Sequence, residues 1–411
     1  MNVTRTRSVG FQAFFLSAST ALAQVLVAVM YALCARELTP VAFGIIVSAL
    51  AAANVLAGLL DFGTNSYWLR QLSRQEMTRP QLSASFHSKT LASLMACCIW
   101  CIILLEFGHL HSYWIAGPVA FAIVINQASQ VPLRAAAKGE LIALTIIVDR
   151  AVALTVLGAI NLAREDWPNY LWVALTCGAL TSASASLLMA PKEFRPLWTL
   201  HRLNNPWRGA TYFGRASVAS SAQSLDVPIL SLAGGASATG LYGAVSRWTQ
   251  PMGLLASAYA SVSAPFIARS PTARDAWHHM KRGVWLPALA IAGSVGVVFL
   301  APTIITLLIG SQYAGSAIVL QILAAGTILA IINQPLSILL QGLGNDKFVS
   351  RVTLSGLVLQ LLLVAVLGWR FGAIGAGIAF CVLQVWVVAW LGHRTWKVRN
   401  DNYQESLLGS H

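Results

Sequence analysis

Charge is what this sequence has least of. Only 10% of its 411 residues are Asp, Glu, Lys or Arg, against about 25% in an average soluble domain. Such a chain cannot present a normally solvated surface. Acidic residues are scarcer still, 14 against 27 Lys and Arg. The six cysteines build no framework: Cys34, Cys97, Cys98, Cys101, Cys177 and Cys381 lie in or beside apolar runs. Cys98 and Cys101 make a C-x-x-C, but inside an expected helix and with no second Cys or His pair to complete a metal site. They read as small packing residues. The sequence has no P-loop, no Gly-rich dinucleotide turn, no H-E-x-x-H and no G-x-S-x-G. No soluble-enzyme chemistry is therefore encoded, and neither a cofactor nor a metal is expected. Disorder, coiled coil and collagen are excluded by the same composition.

What is there is apolar. Hydrophobic residues make up 57% of the chain, and the mean hydropathy is +0.67. A polytopic membrane protein follows. The apolar runs are continuous and too long for the ~10-residue alternating strands of a barrel, so they predict helices. We place spans at 11–34, 41–64, 86–107, 114–133, 141–162, 170–190, 212–233, 239–266, 284–308, 315–340, 350–369 and 373–393. At about 22 residues each they leave no room for a soluble domain. The first run follows Arg5 and Arg7 and extends from Phe11 to Cys34. That is too long for a signal-peptide core of about 7–15 residues, so it reads as the first span.

The net charge of +13 does not point to nucleic acid, because the cations recur in short groups between apolar runs. With the N-terminus in the cytoplasm, 21 Lys and Arg fall inside, Lys89 among them. Three fall outside (Arg36, Arg164, Arg370), and three lie within spans (Arg150, Arg215, Arg247). That bias sets the orientation and puts both termini in the cytoplasm, in the cytoplasmic membrane. Trp68, Trp114, Trp207 and Trp369 lie near span ends, where an amphipathic ring belongs.

The longest hydrophilic loop, Pro191 to about Thr211, lies at the midpoint. We therefore expect an N-terminal lobe over 1–190, a cytoplasmic linker over 191–211, a C-terminal lobe over 212–394 and a cytoplasmic tail over 395–411. Phe43-Gly44 and Tyr242-Gly243 recur at an offset of 199, as do Arg70 and Arg269. Ile125-Asn126-Gln127 and Ile332-Asn333-Gln334 recur at 207, within the fourth helix of each half. The expected fold is all-α and integral to the membrane, with twelve transmembrane helices in two six-helix parallel-repeat lobes around a central cavity.

Charges at membrane depth are costly unless they meet a partner or a cavity. Asp149 and Arg150 fall inside the fifth span, Asp226 in the seventh and Arg247 in the eighth. Pro228 should kink the seventh. Asp226 and Arg247 come to similar depth on consecutive helices. They are either an ion pair pinning a hairpin or a cavity pair, in which the Arg meets an anionic substrate and the Asp titrates. Arg215 is close enough to its span end to snorkel. Asp61, at the end of the second span, reads as an interfacial cap, a partner of a neighbouring Arg, or a transport residue. His109 and His111, near Glu106, read as solvated loop residues.

The segment Ala35-Arg36-Glu37-Leu38-Thr39-Pro40-Val41-Ala42-Phe43-Gly44, then Leu60-Asp61-Phe62-Gly63 and Arg70, resembles the start of polysaccharide flippases. These are the O-antigen, Wzx-type branch of the multidrug/oligosaccharidyl-lipid/polysaccharide exporter superfamily. The family motif positions are Arg36, Pro40, Gly44, Asp61, Gly63 and Arg70. The region from Asp226 to Tyr242-Gly243, Pro251 and Pro265 is similar too, as is Gln341-Gly342-Leu343-Gly344. The resemblance implies flipping of an isoprenoid-pyrophosphate-linked oligosaccharide by alternating access, for surface polysaccharide and lipopolysaccharide assembly. It implies as partners that lipid-linked oligosaccharide, membrane lipid, a polysaccharide polymerase and a chain-length regulator, and no nucleic acid. Arg150, Arg215 and Arg247 would bind the pyrophosphate, as Arg suits paired phosphate contacts. Asp226 and Asp149 would couple to an ion. The alternatives are a cation-coupled multidrug exporter of the same superfamily, which would need acidic groups for organic cations, and a membrane-embedded glycan-processing enzyme.

Overall fold

The computed structural model describes residues 9–106, 108–197, 204–249, 251–254, 256, 259–260, 263, 267 and 284–408. Pro265, Arg269, part of the linker (198–203) and the end of the tail lie outside the described residues. Every described element is helical. Nine of the described helices are long and apolar enough to cross a membrane, so the chain is an all-α, multi-pass membrane protein. It divides into two compact units, Met1–Pro228 and Ile229–His411.

The first unit opens with α1 (Val9–Glu37) and α2 (Pro40–Asp61). Their junction explains the Thr39-Pro40 motif. Thr39 is the N-cap of α2, its hydroxyl accepting from Ala42 N, and Pro40 takes the first turn, where no amide partner is needed. Phe43 then meets Tyr31 of α1 edge-on at 6.0 Å. The second span ends earlier than expected. Phe62 and Gly63 adopt left-handed backbone (φ 41 and 71), and a separate helix, α3 (Thr64–Ser73), begins. Arg70 is an exposed residue of α3.

Next comes α4 (Arg79–Glu106), which starts before its expected span. Gln81 reaches back to accept from Thr78 N at 2.8 Å, half of a capping box. Then follow α5 (Ala116–Ala135), α6 (Gly139–Ala163), α7 (Leu171–Met189) and α8 (Thr211–Ser221). Small residues bring α6 and α7 together: a Cβ on Gly178 would lie 2.4 Å from the Asp149 carbonyl, and Ser182 Oγ donates to Thr145 O.

The unit extends past residue 190 because the loop that follows is tied to it. Leu197 N and Asn204 N donate to Ser83 and Ser88 of α4. Trp207 Nε1 donates to the Leu60 carbonyl at the open end of α2. A 3-10 turn, Ala222–Leu225, separates α8 from α9 (Asp226–Ser246). The break thus precedes Pro228 instead of being a kink at it. Pro228 sits in the first turn of α9, where its missing N–H costs nothing.

In the second unit α9 breaks at Gly235 (φ 83). Residues 247–249 form a turn, because Pro251 has no N–H to bond the Arg247 carbonyl. α10 (Trp285–Leu308), α11 (Ser316–Gly342) and α12 (Asp346–Leu408) follow. Gly372 (φ 57) interrupts α12 between the expected eleventh and twelfth spans. Val349 and Val352 of its first part pack with Val387 and Leu391 of its second, beside Leu340 of α11.

Candidate functional site

The polar chemistry of the first unit gathers where α2 ends. Lys89 of α4 is 1% exposed and Asp61 is 7% exposed. Lys89 Nζ donates to Asp61 Oδ1 at 2.6 Å, to Thr64 Oγ1 at 2.6 Å and to Asn65 Oδ1 at 3.0 Å. An ammonium has three protons, and each has its acceptor. The Trp68 ring lies 5.0 Å from the same nitrogen, a cation–π contact. Asp61 is used as fully. Its Oδ2 accepts from Gly63 N and its Oδ1 from Asn65 N and Thr64 Oγ1, so it caps α3 while neutralising Lys89.

Two expectations are corrected here. Lys89 is not a cytoplasmic loop cation but a buried helix residue, held in place by Asp61. Trp68 is not an interfacial ring. It is 1% exposed and packs with Leu72, Leu82, Phe86, Ala128 and Val131. Asp61 proves to be a cap and the partner of a lysine.

Beside this pair lies a cavity of about 470 Å³. α2 contributes Asn54, Ala57, Gly58 and Asp61 to it; α3 contributes Ser66; α5 contributes Ile123 and Gln127. Its other wall is Phe213, Ser217, Ser220 and Ser221 of α8, with Ser224 of the turn behind. Ser221 Oγ bonds back to the Ser217 carbonyl. The hydroxyls of Ser66, Ser217, Ser220 and Ser224 and the Gln127 amide engage no partner among the described residues. None of the expected cationic residues lines this cavity.

The expected site residues are placed as follows. Asp149 is buried in α6. Its Oδ2 accepts from Asn126 Nδ2 at 3.2 Å, Asn126 accepts from Gln130, and Gln130 accepts from Arg134. This polar chain climbs α5 at four-residue steps. Arg150 lies 3.5 Å from Asp149 Oδ1 and is about a quarter exposed. Arg215 is exposed on α8. Asp226 opens α9, its Oδ1 accepting from Val227 N. Arg247 is half-buried in the turn after α9. Arg36 closes α1, and Gly44 is buried in the first turns of α2. In the second unit Asn333, the expected counterpart of Asn126, donates to Gln384 Oε1 at 2.8 Å. Each asparagine thus makes an interhelical bond within its own unit.

Solved structures of multi-pass membrane transporters share this fold. A structure described as the lipid II flippase MurJ in an inward closed conformation matches with a TM-score of 0.73 at 15% identity, over 92% of this chain and 86% of that one. An inward-facing multidrug resistance MATE family transporter of the MOP superfamily matches with a TM-score of 0.71 at 17% identity, over 92% and 96%. A MOP superfamily transporter from Pyrococcus furiosus, described as having a binding pocket of reverse polarity, matches at 0.51 and 16%, over 96% and 100%. At these identities the likeness is one of fold. No curated protein matches in sequence. Residues 10–270 match the family model of polysaccharide biosynthesis proteins, which is more than half of the chain. The protein belongs to that family.

Proposed function

We propose that this chain is a flippase, not an enzyme, that carries an isoprenoid-pyrophosphate-linked oligosaccharide across the cytoplasmic membrane by alternating access of two six-helix lobes. Its product serves surface polysaccharide assembly, of O-antigen or lipopolysaccharide type. The observation that carries this reading within the family is the state of Asp61. Among the described residues it is the one carboxylate in the cavity lining, and Lys89 already neutralises it. An exporter of organic cations needs an acid it can offer to its cargo. A wall of hydroxyls and amides suits a glycan instead. In this proposal Arg150, Arg215 and Arg247 take the pyrophosphate by paired contacts, and Asp226 and Asp149 couple transport to an ion.

Deletion is expected to make lipid-linked oligosaccharide accumulate in the inner leaflet and to abolish surface polysaccharide. Arg247→Lys should reproduce that phenotype at normal protein level, because a point ammonium cannot make a two-pronged phosphate contact. Unchanged surface glycan in the deletion strain, with no second flippase present, refutes the function; a fully active Arg247→Lys refutes the role of that residue.

The 191–211 loop and both termini lie in the cytoplasm in this proposal, from the asymmetry of the basic residues. A single cysteine placed in the loop, with the six native cysteines replaced, should resist an impermeant maleimide in intact cells and react after permeabilisation. Labelling in intact cells would invert the topology.

A further inference from the structure

The cavity of the first unit carries hydrogen-bonding groups that engage no partner among the described residues. We infer that it is a saccharide subsite, which holds sugar hydroxyl and acetamido groups separately from the cations proposed for the pyrophosphate. The inference rests on the flippase reading above and names the part of the substrate that this cavity takes.

Three features of the cavity point there. The first is the capacity of its wall. Ser217, Ser220 and Ser224 recur at three- and four-residue steps along one side of α8 and the turn behind it, and Gln127 of α5 lines the same space. Hydroxyl and amide groups both donate and accept, as a sugar hydroxyl does, so either orientation of the partner can be met. The second is charge. The single charged residue of the described lining, Asp61, is committed to Lys89 and to the cap of α3. Among its described residues the lining offers no free cation to a phosphate and no free acid to an organic cation. The third is the mixed character of the surface. The Phe213 ring and Ile123 lie among the hydroxyls, and a sugar presents apolar C–H faces with a polar rim.

The size agrees. A volume of about 470 Å³ is within the ~300–1,000 Å³ of small-molecule sites, which is room for a sugar but not for a lipid-linked repeat unit. The place agrees as well. The cavity lies by the end of α2 and along α8, on the side that the basic residues assign to the cytoplasm, where a lipid-linked saccharide is loaded.

The test uses the full chain in lipid nanodiscs and two probes. One is the free oligosaccharide released by mild acid from the cells' own lipid-linked pool; the other is isoprenyl diphosphate without sugar. The triple variant Ser217→Ala, Ser220→Ala, Ser224→Ala removes three oxygen atoms and leaves the helix intact, which gel filtration checks. It should bind the oligosaccharide at least ~10-fold more weakly, about 1.4 kcal/mol, and isoprenyl diphosphate as the native protein does. Ser220→Phe, which fills the space, should give the same split. Native affinity for the oligosaccharide in both variants overturns the subsite, and so does native protein that binds the diphosphate but no free oligosaccharide. An equal loss for both probes overturns the separation of sugar from phosphate. If deletion causes no accumulation of lipid-linked oligosaccharide, the flippase reading itself has failed. If deletion does cause it while the serine variants bind normally, only the subsite has failed.

Discussion

Lys89→Ala is expected to leave little folded protein. The substitution strips Asp61 of its partner while the residue stays buried, 7% exposed. Removing one member of a buried ion pair typically costs ~3–5 kcal/mol, because the remaining charge is buried and uncompensated. A whole domain is stable by only ~5–15 kcal/mol. Thr64 and Asn65 lose a donor in the same step. The combination Asp61→Asn with Lys89→Met should recover most of the loss. The asparagine oxygen can still accept from the amides at the start of α3, and the methionine fills the volume of the lysine stem. Thermal unfolding of the detergent-solubilised protein, followed by size-exclusion fluorescence, measures both. Native stability in Lys89→Ala would show that the pair holds nothing together. A double variant as unstable as the single one would show that the loss comes from packing and not from charge.

That pair also shows what could be read in advance and what could not. The membrane class, the helical composition and most helix positions were legible, because long apolar runs separated by basic groups leave few alternatives. Lys89 was misplaced because His87-Ser88-Lys89-Thr90 reads as the polar end of a span. The helical period held the correction. Leu82, Phe86, Lys89, Ser93 and Cys97 fall at three- and four-residue steps, and all five are buried. A lysine on such a stripe calls for a buried acid, and the chain has only 14 acidic residues from which to choose. Trp68 was misread for a related reason. An interfacial ring and a buried ring look alike until the second helix is seen to stop at Asp61 and a separate amphipathic helix to follow.

The cavity was less legible than the ion pair. The formal charges that the sequence offers to a substrate lie elsewhere: Arg150 beside Asp149, Arg215 exposed on α8, Arg247 in the turn after α9. The hydroxyls carry no such signal, because serine is common in membrane helices, where it usually bonds back to its own helix, as Ser221 does. The spacing of Ser217, Ser220, Ser221 and Ser224 on one helical face was visible in the sequence. That the face turns toward Asn54 and Gln127 was not, since α2 and α5 are distant in sequence and their approach to α8 is a product of tertiary packing.

Gly63→Ala should be as damaging as the loss of Lys89, by a different physical route. Gly63 has φ +71, and a Cβ there would lie 2.4 Å from the Phe213 carbonyl carbon and 2.6 Å from Gly214 N. Left-handed backbone alone costs a non-glycine residue about 1–2 kcal/mol. The overlap is worse, because it is with backbone and no rotamer can relieve it. The approach is reciprocal: a Cβ on Gly214 would meet the Phe62 ring at 2.5 Å, and one on Gly58 would overlap Ser221 Oγ. The end of α2 thus packs against α8 at glycines that leave no room for a Cβ. Relieving the clash means moving α8, which carries the serine wall of the cavity, or moving the end of α2, which bears Asp61. Gly63→Ala is therefore expected to lower the unfolding temperature and the yield of monodisperse protein together, and whatever folds should bind the free oligosaccharide poorly. Gly158→Ala is the control. It is the same chemical change on α6 with nothing within 4 Å of the added Cβ, and it should leave stability and binding unchanged. If Gly63→Ala behaves like Gly158→Ala, the contact between α2 and α8 is looser than the structure shows, and the cavity wall does not depend on it.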